Sequence, residues 1–164
     1  MPSNSAVREM LPAARMSASR IACVSAFWRT RRRFKVGGVT LTAHHHPGHT
    51  KGATSFTLTV REAGRDYRVV IANMGSINPG VTVSGMPKYP TIGEDYARTF
   101  AAQKALPVDV FLASHAAQFG MHEKYQPGDA YDPNRFVDPQ GYLAAVERLE
   151  GLYREQLAKE QAGR

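Results

Sequence analysis

From residue 34 onward, hydrophobic and polar positions fall into blocks whose period changes along the chain. Val36, Val39 and Leu41 flank a Gly37-Gly38 turn and predict a short hairpin running into His44. Residues 53–60 place Thr54, Phe56, Leu58 and Val60 on one face and Ser55, Thr57 and Thr59 on the other, the period of two of a half-buried strand. Residues 67–72 (YRVVIA) are more continuously apolar, which predicts a second strand buried on both faces, paired with the first across a turn at 62–66. Residues 73–90 are rich in Gly and Pro and read as a long loop. A helical period returns over 93–105, with Ile92 leading in, Tyr96 and Phe100 one turn apart, and Pro107 as the stop. Residues 108–113 (VDVFLA) predict a strand that delivers Ser114 and His115 at its end. Last comes a long helix, with Asp138 as its cap, Pro139 in its first turn, and Leu143, Val146, Leu149, Tyr153 and Leu157 as its apolar stripe. The body is of the α/β class.

A chain of 164 residues, 43% of them hydrophobic, suffices for one domain with a core. No apolar run approaches the roughly 18 residues that span a bilayer, and a lone cysteine, Cys23, excludes a disulfide within the chain. Charge divides the chain at residue 34. Residues 1–33 hold seven arginines and one acid, Glu9, so six of the seven net positive charges sit there. Residues 34–164 are close to balanced, as in an ordinary soluble enzyme domain. The basic character belongs to an arm, read as disordered or out of frame. Its Arg, Ser and Ala content is shared by transit peptides and nucleic-acid-binding tails, and a competing reading makes it a module for nucleic acid or an anionic membrane. The simpler reading is a solvated arm without such a partner. Residues 21–28 resemble the core of a secretory signal, but Ser25 interrupts them and Arg29–Arg33 follow where small cleavage-site residues belong.

The candidate chemistry lies in histidines near predicted strand ends: His44, His45, His46, His49 and His115, with His122 beyond. Neutral imidazole is a common zinc ligand, and His49 sits between small residues at Gly48 and Gly52 that let an ion approach. On a strand, His44 and His46 share one face and His45 takes the other, so His44, His46 and His49 form a three-ligand candidate while the triplet itself does not. The pair His122-Glu123 begins like HExxH, but Gln126 stands at the second histidine position. Neither GxxxxGK[ST], GxGxxG nor GxSxG occurs.

The run 44–52 (HHHPGHTKG) resembles the GHTxG ligand loop of metallo-β-lactamase-fold hydrolases. The ordered blocks IANMGSINPG, KYPTIGEDYARTF, LPVDVFLASH and RFVDPQGYLAAVERLEGLYREQL extend the likeness over residues 34–161 to the second half of subclass B3 metallo-β-lactamases. The resemblance implies the second half of an αββα fold, a mixed sheet with flanking helices, and zinc whose bound hydroxide attacks a β-lactam carbonyl. It implies His49 and His115 as metal ligands, and Ser76 as a residue that holds water or the substrate carboxylate. Relatives of this subclass are exported, to the periplasm or beyond, and the arm leaves the compartment of this chain open. The family's HxHxDH motif, source of the remaining ligands, does not occur in this sequence. The expectation is a fragment that is inactive alone, with an apolar sheet face left open to self-association or to a complementary chain.

Overall fold

The structure, a computed structural model, describes residues 31–163. Strand β1 (Arg32–Val36) turns at Gly37 into β2 (Val39–His45), with Val36 opposite Val39. Strands β3 (Thr54–Glu62) and β4 (Arg65–Ala72) form a second antiparallel hairpin. Its turn places Ala63 at φ 50° and Gly64 at φ 80°, consecutive left-handed residues whose twist suits a two-residue connection. Strand β5 (Val110–Ala113) adds parallel to β4, giving a mixed sheet in the order β1-β2-β3-β4-β5 among the described residues. Since β2 and β4 are each antiparallel to β3, strands β2, β4 and β5 run the same way. Their carboxyl ends therefore share one edge of the sheet.

Helices α1 (Ile92–Lys104) and α3 (Pro139–Ala162) pack with one sheet face; a short helix α2 (Met121–Lys124) lies between β5 and α3 in the chain. Helix α3 starts as expected: the Asp138 carboxylate accepts the Gly141 N–H at 2.8 Å and Pro139 occupies the first turn. The core joins Val70, Ala72 and Phe111 of the sheet to Tyr96 and Phe100 of α1 and to Val146, Leu149 and Tyr153 of α3. Tyr142, rather than the expected Leu143, fills the first core position of α3, because its hydroxyl also reaches the Gln103 carbonyl at 3.0 Å. The loop 73–90 is pinned to α3. The Glu160 carboxylate accepts the N–H groups of Val83 (3.0 Å) and Ser84 (2.7 Å), and Gln156 donates to the Val81 carbonyl at 2.7 Å.

Strand register separates the two faces of the sheet. Val70, Thr57, Thr42 and Phe111 are cross-strand partners on the helix-covered face. The other face aligns Ile71 with Phe56 and Leu112, Val69 with Leu58 and Val110, and Leu41 with Phe34. No helix among the described residues joins this second face to the core. Phe34, Val36 and Ile71 remain 43%, 62% and 37% exposed, and Phe56, Leu58 and Val60 are only half-buried. Strand β4 is buried on both faces as its composition predicts, through Tyr67 and Val69 on this side and Val70 and Ala72 on the helix side, with Ile71 the exception. In β3 the order is inverted near the helices: Ser55 is fully buried while the apolar side is half open.

The basic arm, with Cys23, lies outside the described residues apart from Arg31, Arg32 and Arg33. Strand β1 begins at Arg32, so backbone pairing reaches two residues upstream of Phe34, with Arg32 opposite Ala43 and Arg33 opposite Thr42. Among the described residues no helix is long and apolar enough to cross a membrane.

Candidate metal centre

The topology brings three segments to the shared carboxyl edge of the sheet. The loop after β2 carries His46 to His49, the loop after β4 carries Asn73 to Ser76, and His115 stands two residues beyond β5. His115 has an extended backbone, leads into a 3₁₀ turn at Ala116–Gln118, and is exposed.

His49 is the ring best prepared to bind a metal. Its Nδ1 lies 2.7 Å from the Ser76 carbonyl oxygen and 3.4 Å from the Ser76 hydroxyl. A carbonyl only accepts, so Nδ1 carries the proton and Nε2 keeps its lone pair. This arrangement, a histidine whose second nitrogen is held by a carbonyl, fixes tautomer and ring orientation in metal-ligating histidines. Ser76 therefore makes its shortest contacts through its backbone, and its hydroxyl is the more distant partner.

The other histidines of the run have different employment. His44 Nε2 lies 2.7 Å from the Thr57 hydroxyl, His45 Nε2 donates to the Lys51 carbonyl at 2.7 Å, and His46 Nδ1 lies 2.8 Å from the Ser55 hydroxyl. His44 and His46 share the helix side of the sheet, their rings stacked at 5.8 Å, as strand alternation requires. Burial lowers the pKa of His44, with Arg31 adding to the effect; burial, then the neighbouring His44, His45 and Arg31, brings His46 down to about 4. Both are structural imidazoles, neutral at pH 7. The three-ligand candidate His44, His46 and His49 is not formed: among the described residues no group of three His, Cys, Asp or Glu side chains converges as a metal site. His49 thus fits a zinc ligand, and the described residues by themselves do not complete a zinc site, which needs at least three protein ligands.

Helix α1 supplies groups whose role the linear pattern hides. The Tyr96 hydroxyl donates to the Ser76 carbonyl at 2.9 Å, the Thr99 hydroxyl to the Pro47 carbonyl at 2.6 Å, and the Gln103 amide to the Asn73 carbonyl at 2.8 Å. Ser55 ties the same loops from the sheet side, its hydroxyl accepting the Asn73 N–H at 3.0 Å beside His46. Gly48 has φ 137°, and a Cβ there would lie 2.8 Å from the Tyr96 ring. A cleft of about 650 Å³ opens beside Ser76, lined also by Met74, Gln118, Leu149, Leu152 and Lys159. A larger one of about 860 Å³ borders His44, His45 and His46 along α1 and is lined by neither His49 nor His115.

No protein-family model matches the chain. Solved structures do. A β-lactamase from Chitinophaga pinensis is 44% identical over 77% of this chain and 48% of its own, with a TM-score of 0.74. The class B3 di-zinc metallo-β-lactamase LRA-12, from an Alaskan soil metagenome, is 42% identical over 77% of this chain and 48% of its own, at 0.73. The FEZ-1 metallo-β-lactamase of Legionella gormanii is 35% identical over 79% of this chain and 50% of its own, at 0.75. The chain spans about half the length of the structures it matches.

Proposed function

We propose, on the premise that this chain shares its fold and sequence with about half of a subclass B3 metallo-β-lactamase, that it carries the second-half share of a zinc-dependent β-lactam-hydrolysing site. His49 and His115 donate imidazole nitrogens to zinc, and Ser76, at the edge of its cleft, contacts water or the carboxylate of a β-lactam-like substrate. The observation that carries this is the 2.7 Å bond from His49 Nδ1 to the Ser76 carbonyl, which leaves Nε2 as a ligand. Zinc, when bound in a completed site, polarises a carbonyl and supplies hydroxide near neutral pH. Residues 1–164 alone are inactive, since the sequence holds no HxHxDH and the described residues hold no three-ligand group. Nucleic acid is not a partner of the body, whose charge is nearly balanced. Hydrolysis of a chromogenic cephalosporin tests the reading. Zinc-supplemented chain alone gives no turnover, and adding a separately produced HxHxDH-bearing half of a relative restores it. Turnover by the chain alone contradicts the reading, as does a failure of His49→Ala to abolish the restored activity.

A second copy of the chain covers the open sheet face. The open part of the face runs across β1, β3 and β4, where half-buried Phe56, Leu58 and Val60 extend the exposed apolar side chains. The exposure of Phe34, Val36 and Ile71 supports this partner. Sedimentation equilibrium is expected to give a dimer that Ile71→Lys with Leu58→Lys dissociates; a monomeric parent chain refutes it.

A further inference from the structure

We propose that Tyr96 is the positioning residue of His49: its hydroxyl holds the Ser76 carbonyl in the orientation that keeps the His49 ring in its Nδ1–H form. The inference rests on reading His49 as a ligand, and it assigns to α1 a task beyond packing.

Tyr96, Thr99 and Gln103 are 1%, 2% and 0% exposed and fall three and four residues apart, on one face of the helix. Burying a polar group is unfavourable unless it is hydrogen-bonded, so an apolar residue would pack there at lower cost. Each of the three instead donates to a backbone carbonyl outside the helix, and those carbonyls, of Ser76, Pro47 and Asn73, belong to the two loops that the His49–Ser76 bond joins. The Ser76 carbonyl receives two donors, Tyr96 and His49, which occupy both its lone pairs.

Close packing fixes the same distances. A Cβ at Gly48 would stand 2.8 Å from the Tyr96 ring, and one at Gly75 would stand 3.0 Å from the Phe100 ring, so both loops lie directly on α1. Tyr96 is itself held by rings at 5.9 Å (Phe100) and 5.4 Å (Tyr153). Burial pushes its hydroxyl up to about 12, and it stays a proton donor throughout the neutral range.

The test uses the full chain without metal, and long-range proton–nitrogen correlation of the His49 side chain at pH 7.5. In the parent chain His49 is expected as a single Nδ1–H tautomer. Tyr96→Phe keeps the ring contacts and removes only the donor; the tautomer ratio is expected to fall at least fivefold, with far-ultraviolet circular dichroism unchanged. Thr99→Val, which acts on Pro47 and not on Ser76, is expected to leave the ratio within twofold. A parent His49 protonated on Nε2, or a Tyr96→Phe chain that retains pure Nδ1–H, overturns the inference. Should Tyr96→Phe fail to fold, exchange of the Tyr96 hydroxyl proton in the parent chain decides: slow exchange supports the bond to Ser76 and fast exchange overturns it. Zinc takes no part in this readout, so a chain that passes it and adds no zinc when paired with an HxHxDH-bearing half overturns the metal reading alone.

Discussion

His46→Asn is expected to remove a large part of the chain's sensitivity to mild acid. His46 is 3% exposed, bonded through Nδ1 to the buried Ser55 hydroxyl, and holds its proton only at about pH 4. The unfolded chain, at the ordinary histidine value of 6.5, takes up a proton that the folded chain refuses. Stability is therefore fully present above pH 6.5 and falls as the pH drops through the window from 6.5 to about 4. At 1.36 kcal/mol per pH unit this gap amounts to roughly 3 kcal/mol. His44, also lowered by burial, adds in the same direction. Ser55 accepts the Asn73 N–H, so its own proton is free to be donated to His46 Nδ1, and an asparagine oxygen placed near that nitrogen preserves the bond without titrating. Urea unfolding followed by circular dichroism at pH 7.0, 6.0, 5.0 and 4.5 measures the difference while most carboxylates remain ionised. The parent chain is expected to lose at least about 2 kcal/mol more than His46→Asn over that range. Parallel losses in the two chains would refute the argument that burial holds His46 neutral.

Three further substitutions probe separate parts of the fold. Burial raises the Glu160 carboxyl, but hydrogen bonds from Gln156 and from the Ser84 and Val83 amides outweigh it and bring the group down to about 2; Glu160→Ala is expected to cost about 1–3 kcal/mol in urea unfolding at pH 7. The stability these contacts supply is lost in the parent chain as the pH falls from 4.5 toward 2, and the Val83 and Ser84 amide shifts of the folded chain are expected to titrate only near 2. Gly48→Ala forces a Cβ into the Tyr96 ring at a left-handed backbone position, and a loss of about 1–3 kcal/mol in thermal unfolding is expected. Ala63→Asn relieves a left-handed alanine in the β3–β4 turn and is expected to stabilise by about 1 kcal/mol, seen as a higher Tm.

Elements with strong local periodicity are legible in the sequence. The Gly37-Gly38 hairpin, the β3–β4 pair, α1 and the capped start of α3 each follow from residues within a turn or two of one another. Burial is less legible, because alternation in β3 reports which face is apolar and not whether anything covers it. Tyr142 displaces Leu143 from the stripe of α3, a one-residue change of phase that a tyrosine hydroxyl with a distant partner decides. The candidate centre divides in the same way. GHTKG marks His49, and the end of the VDVFLA strand marks His115, from local signals. The bond from His49 to Ser76 spans 27 residues, and those from Tyr96, Thr99 and Gln103 span 20, 52 and 30. Tyr96 beside Phe100 reads as one more apolar helix position; polar residues spaced with an apolar pair on one helix face were the available signal.

His49 and His115 are proposed as this chain's contribution to a zinc site completed by an HxHxDH-bearing half. Equilibrium dialysis against zinc at pH 7.5, with metal content read by atomic emission, tests it on the full chain, His49→Ala, His115→Ala and His44→Ala, each paired with a separately produced HxHxDH-bearing half. Zinc retained by the complexes of the parent chain and of His44→Ala, and diminished in those of both His49→Ala and His115→Ala, is the predicted result. Zinc retained undiminished when His49 and His115 are both replaced would contradict the account.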